Sequence, residues 1–176
     1  MYKLSATFLF CFVMLQSSGQ HHNKISAYLQ GQYNKTIYDI TKGNNPWGVG
    51  AGVQLFYKNN SPFKPTVSLT ADIYLADDKV FRTQADGSPI ESVGSMVNLF
   101  AGAAYQLAGA MYISLQTGPS FISGKTFLGL NPSLGFYLLK NKRLTGKLSY
   151  INVFKRDIPS GMGFGTISLS AGVKLF

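Results

Sequence analysis

Few side chains in this sequence can do chemistry. It holds two histidines, His21 and His22, and one cysteine, Cys11. A serine hydroxyl becomes a nucleophile only beside a base, usually an imidazole. No histidine follows His22, so Ser120, Ser123 and Ser160 have no evident activator, and enzymatic activity is not expected. No stretch sets His, Cys or carboxylates at metal-ligand spacing, so neither a structural metal nor a cofactor is expected. Asp77, Asp78, Asp86 and Glu91 share one polar stretch. Calcium, however, takes about six to eight oxygens in a set geometry. This stretch lacks the spaced repeat of such a site and reads as a solvated loop.

One metal arrangement remains at the N-terminus. Met1-Tyr2-Lys3, the apolar run from Leu4 to Leu15 and the small residues Ser17-Ser18-Gly19 form a secretory signal peptide. Cys11 sits inside that run without lipoprotein context, so the mature chain is cysteine-free. Cleavage after Gly19 exposes Gln20-His21-His22. A free amine with a histidine at the third position can wrap Cu(II) or Ni(II) in a planar set of nitrogens. Cyclisation of Gln20 would remove the amine, and the competing reading is a plain leader ahead of the folded domain.

Two charges are placed by alternation on the polar face of mid-strand segments, Asp72 and Lys147. A buried charge has to be paired or hydrogen-bonded. Together they read as an ion pair or polar network filling an interior, with a narrow gate as the sharper alternative.

The elements that position these residues are strands. The final stretch sets Ile167, Leu169, Ala171, Val173 and Leu175 on one face and Ser168, Ser170, Gly172 and Lys174 on the other. That is the period-two signature of a strand with one apolar side. The same alternation recurs over about Ile25–Tyr38, Trp47–Lys58, Lys64–Ala76, Val93–Leu107, Ala110–Ile122, Thr126–Leu139 and Arg143–Lys155. Pro132 inside the sixth strand signals a bulge or a weakly paired edge. In the seventh, Ile151 and Val153 blur the pattern.

No further apolar run reaches about 18 residues, so no transmembrane helix is expected. An exported chain that enters lipid must then satisfy its backbone in a closed barrel. Pairing of the last strand with the first closes it and removes the exposed edges. The fold class is thus all-β: an eight-stranded antiparallel up-and-down barrel over residues 25–176, after a signal at 1–19 and a short segment at 20–24. Connections alternate between long (Asn34–Pro46, Asp77–Ser92, Arg156–Met162) and short (Lys58–Phe63, Ala108–Gly109, Lys140–Lys142), with Ser123–Lys125 the short exception. Trp47, Tyr57, Tyr105, Tyr137, Tyr150 and Phe154 fall near strand ends, where interfacial aromatic girdles belong.

The formal net charge is +9. Its basic residues are scattered, with no patch beyond Lys140-Asn141-Lys142-Arg143, so nucleic acid is not expected and an anionic lipid surface fits better.

With strand count, loop asymmetry and a C-terminal aromatic in hand, the sequence resembles the small eight-stranded outer-membrane barrels of Gram-negative bacteria, the OmpX and OmpA transmembrane-domain type. Gln20 directly after the cleavage site is similar to exported proteins of the Bacteroidota. The resemblance implies a monomer in the bacterial outer membrane, contact with its lipids and lipopolysaccharide, and assembly by the barrel-assembly machinery. Phe176 stands where that machinery reads its signal, although it is in phase with Lys174 and Gly172 rather than with the apolar face. The implied function is structural, or the presentation of extracellular loops to other surfaces. A narrow small-solute channel and a soluble lipocalin-like barrel with an apolar ligand are the alternatives. A lipocalin is apolar inside, whereas a membrane barrel is apolar outside.

Overall fold

A computed structural model describes residues 24–38, 45–75, 94–139, 141–154 and 164–176. The expected signal peptide at 1–19, His21, His22, Ser160, the acidic stretch from Asp77 to Glu91 and most of the long connections lie outside the described residues.

Eight strands follow in order: β1 (Ile25–Thr36), β2 (Trp47–Tyr57), β3 (Phe63–Leu75), β4 (Ser95–Ala108), β5 (Met111–Ile122), β6 (Lys125–Tyr137), β7 (Leu144–Val153) and β8 (Phe164–Lys174). Each pairs antiparallel with the next, and β1 pairs with β8, from Tyr28↔Lys174 to Thr36↔Thr166, to close the barrel. The expected strands are therefore all present, with ends shifted by one or two residues. Lys24 and Phe176 both lie at the end carrying the short β2–β3, β4–β5 and β6–β7 connections.

Alternation sets the two faces. Along β3, Leu69 and Ile73 are 51% and 60% exposed on the outside, while Thr66, Ser68, Thr70 and Asp72 are buried within. The exterior is apolar and the middle of the interior is polar. This rules out the lipocalin-like alternative, which needs the reverse. Both central residues of the β5–β6 turn are left-handed, Ser123 at φ 50° and Gly124 at φ 76°. That geometry matches the twist of a tight hairpin, and it explains how this connection stays short at the long-loop end.

Pro132 is not at an edge, because a closed barrel has none. On one side it pairs with Leu115 of β5. On the other, the β6–β7 ladder runs through Leu130↔Asn152, skips Asn131 and Pro132, and resumes at Ser133↔Ser149. Proline has no N–H to donate, so the seam opens where β7 would have accepted a bond.

The blurred pattern of β7 also has a cause. Ile151 and Val153 are in phase with Lys147 and Ser149 and point inward, into an apolar cluster. Tyr137 is a correction to the aromatic girdle. It is buried inside, because Leu134 and Phe136 take the outward phase of β6. Trp47 does sit at the exposed rim, stacked on Tyr33 at 6.1 Å. Past the end of β8, Leu175 N donates to the Ala27 carbonyl (2.8 Å) and Ala27 N to that of Phe176 (3.2 Å), so Phe176 stays tied to β1.

Candidate functional site in the lumen

The lumen has three layers. At the short-turn end, Tyr28, Phe56, Tyr112 and Tyr137 form a ring of aromatic contacts with Ala104 beside them. Centroids are 5.7 Å apart for Tyr28–Phe56, 5.4 Å for Phe56–Tyr112, 5.4 Å for Tyr112–Tyr137 and 6.1 Å for Tyr28–Tyr137. Edge and tilted pairs of this kind are favourable beyond the area they bury. At the long-loop end, Tyr74, Met96, Phe100, Ile122, Ile151, Val153 and Phe164 form a second cluster, with Phe127 packed against it. Small residues make room for the rings. A Cβ at Gly129 would lie 2.7 Å from the Phe100 ring, and one at Gly135 would run into Tyr112.

Hydrogen bonds fill the layer between. Asp72 is its main acceptor. Oδ1 takes bonds from Gln32 Nε2 (2.5 Å) and Asn34 Nδ2 (2.7 Å). Oδ2 takes them from Asn98 Nδ2 (3.2 Å) and Thr70 Oγ1 (3.3 Å). Donation from four neutral groups supports a buried carboxylate without a contact cation. Ser120 donates to Asn98 Oδ1 at 2.7 Å and Ser168 to Asn34 Oδ1, so the neighbours are themselves held. Gly50 is opposite Asp72 in the β2–β3 register, and a Cβ there would collide with the carboxylate.

Lys147 belongs to a separate branch. Nζ donates to Gln54 Oε1 at 3.1 Å, an oxygen that also accepts from Gln30 Nε2 at 2.9 Å. Gln54 Nε2 reaches Thr66 Oγ1 at 3.4 Å. Both expected charges are thus buried in the lumen, yet no contact ion pair joins them; each sits within its own set of amides and hydroxyls. Lower down, Ser114 and Ser133 share a bond of 2.6 Å. Beside the open β6–β7 seam, Gln116 Nε2 and Asn131 Oδ1 are buried without a hydrogen-bond partner.

Ser120 is engaged with an amide and Ser123 lies in a turn, and no histidine falls among the described residues. Among the described residues no group of His, Cys, Asp or Glu could hold a metal. The sequence reading missed the two apolar clusters. Their signal was present, since Tyr28, Phe56, Tyr74, Phe100 and Tyr112 interrupt an otherwise polar inward phase.

No protein-family model matches the chain, and no curated protein matches it by sequence. Solved structures do match. The outer-membrane protein Ail of Yersinia pestis, in a phospholipid bilayer nanodisc, aligns at TM-score 0.56 and 16% identity, over 85% of this chain and 99% of that one. Its crystal structure, the attachment invasion locus protein, aligns at 0.52 and 16%, over 86% and 97%. A de novo designed transmembrane β-barrel aligns at 0.53 and 7%, over 85% and 95%. A closed antiparallel barrel, an apolar exterior and these likenesses agree: the chain folds as a small eight-stranded outer-membrane β-barrel.

Proposed function

We propose that this protein is a non-enzymatic, non-conducting barrel of the bacterial outer membrane, exported by its signal peptide, that presents its long connections outside the cell. The observation that carries this reading is the lumen. An eight-stranded barrel is just wide enough for its own side chains, and here two apolar clusters close a hydrogen-bonded centre. A solute would have to displace buried rings and the amides around Asp72. The narrow-channel alternative is disfavoured for that reason. With the interior occupied, the surfaces left for function are the loops and the lipid-facing wall.

Six of the seven acidic residues fall in or beside the long connections, which gives that rim a chemistry distinct from the opposite one. Ail is named for attachment and invasion, and a surface-contact role fits the same architecture, although fold alone does not fix function. The remaining features fit a monomer that contacts membrane lipids and lipopolysaccharide and is inserted by the barrel-assembly machinery, with Phe176 in its recognition signal. The N-terminal Cu(II) or Ni(II) site at His21 and His22 remains a separate minor proposal.

Epitope insertion tests the display. An epitope placed between residues 84 and 88 should bind antibody on intact cells, and one at 109–110 should bind only after permeabilisation. The reverse pattern would overturn the reading. Planar bilayers containing the refolded protein should show no conductance steps.

A further inference from the structure

The short-turn mouth of the barrel offers a further surface, a basin with a floor. The ring of Tyr28, Phe56, Tyr112 and Tyr137 closes the lumen just inside it. Lys24, Lys58, Lys64, Lys142, Arg143 and Lys174 stand around it. The one acidic side chain among the described residues, Asp72, lies beyond the floor in the hydrogen-bonded layer. The backbone oxygen of Phe176, also at this end, is taken by Ala27 N.

Three of these cations turn over the mouth. Lys64 is in phase with Thr66 and Ser68, and Lys174 with Ser170 and Gly172, so both take the inward face of their strands. Lys142 joins them from the β6–β7 turn. Its ammonium lies 5.1 Å from the centre of the Tyr137 ring, an attraction that holds it over the floor. The turn itself is fixed. Lys142 has a left-handed φ of 56°. Its N–H donates to the Leu139 carbonyl at 2.8 Å, and its own carbonyl accepts from the Tyr28 hydroxyl at 3.1 Å. β3 and the β6–β7 turn stand on opposite sides of the eight-strand ring. Lys64 is nevertheless within electrostatic reach of Lys142, as is Lys174. The three amines therefore converge across the mouth. All three are half-buried, whereas Lys24, Lys58 and Arg143 are exposed. Like charges drawn together without a counter-ion are unfavourable.

We propose that Lys64, Lys142 and Lys174 form an anion site over the aromatic floor, for a soluble ligand that carries a multiply charged phosphate. Each ammonium meets phosphate as a point charge with three donors. A tetrahedral phosphate accepts from several directions, and here donors come from β3, from β8 and from the turn between β6 and β7. The floor keeps the ligand at the mouth, so the site needs no passage through the lumen. The basin opens along the barrel axis, away from the apolar wall, which favours a soluble phosphate over a lipid headgroup. The site rests on the short-turn end facing water and is independent of what the loops bind.

Amide NMR of the full mature barrel in a neutral detergent, titrated with sodium pyrophosphate at constant ionic strength, tests it. Shifts should saturate at one ligand per barrel and centre on residues 64, 142 and 174, leaving those around Lys125 at the opposite rim unmoved. Each cation removed should weaken binding at least about fivefold, since a contact pair keeps that much even in bulk water. Lys64→Gln with Lys174→Gln should therefore lose about twenty-five-fold or more. Lys142→Gln, in a turn, should lose about fivefold and decides the matter if the double variant fails to fold. Lys24→Gln with Lys58→Gln removes the same charge from the exposed rim and should lose far less. Equal losses from the two double variants would mean a diffuse ion atmosphere only and would overturn the site. Shifts with dihexanoyl phosphatidic acid but none with pyrophosphate would overturn it too, in favour of a lipid headgroup. Neither result touches the display of the loops.

Discussion

Replacing Asp72 by Leu keeps the side chain near its size and deletes the acceptor around which the lumen is arranged. Gln32, Asn34 and Asn98 would each lose the oxygen that their amide N–H groups now reach, at 2.5, 2.7 and 3.2 Å. Thr70 can redirect its hydroxyl, and Asn98 keeps a bond to Thr70 Oγ1 at 3.1 Å. That leaves at least two buried donors unsatisfied, each costing about 1–3 kcal/mol. Among the described residues Lys147 would then be the one buried charge left in the lumen, which adds to the loss. The expected destabilisation is about 4 kcal/mol, with Asp72→Asn losing about half of that because it keeps one acceptor oxygen. Urea unfolding in phosphatidylcholine vesicles, followed by Trp47 fluorescence, reads both values against the parent. An Asp72→Leu barrel within about 0.5 kcal/mol of the parent, the scatter of neutral surface changes, would refute the network described here.

The lumenal charges should couple weakly. A double-mutant cycle of Asp72→Asn and Lys147→Met should show well under the roughly 3–5 kcal/mol that breaking one partner of a buried contact pair costs, and a larger coupling would place the two in contact. Gly50→Ala should destabilise by about 1–3 kcal/mol, as overpacking does, because the added methyl meets the Asp72 carboxylate. Gly31→Ala, where nothing lies within 4 Å, is the control and should be close to neutral. Leu69→Arg should cost about 2–4 kcal/mol in a bilayer if Leu69 lies near the midplane, and an unchanged midpoint would remove that residue from the lipid face.

Strand number, faces and closure were legible in the sequence because alternation reports directly which side each residue takes. Leu69 against Ser68 and Leu169 against Ser168 are enough to tell outside from inside. Height along the barrel was not legible. Tyr28 and Tyr112 come together only through the staggered register of β1 to β6, and Ile151 joins Tyr74 and Phe164 across the closed lumen. For the same reason Asp72 and Lys147 read as partners when only their shared face was known; the register separates them into different hydrogen-bonded branches. Pro132 announced a defect, but which seam would open depended on which neighbour its missing N–H faced.

The central claim is an apolar wall against lipid around a sealed polar lumen. Since Cys11 is the only cysteine and precedes the barrel, a barrel produced from residue 20 onward has none, and single cysteines carrying nitroxide labels can be placed along β3 in liposomes. Collision with oxygen, which concentrates in lipid, should peak at residues 67, 69, 71 and 73 and fall at 66, 68, 70 and 72, with a water-soluble nickel chelate reaching neither set. Oxygen maxima at the even positions, or nickel access to the even positions, would contradict the account.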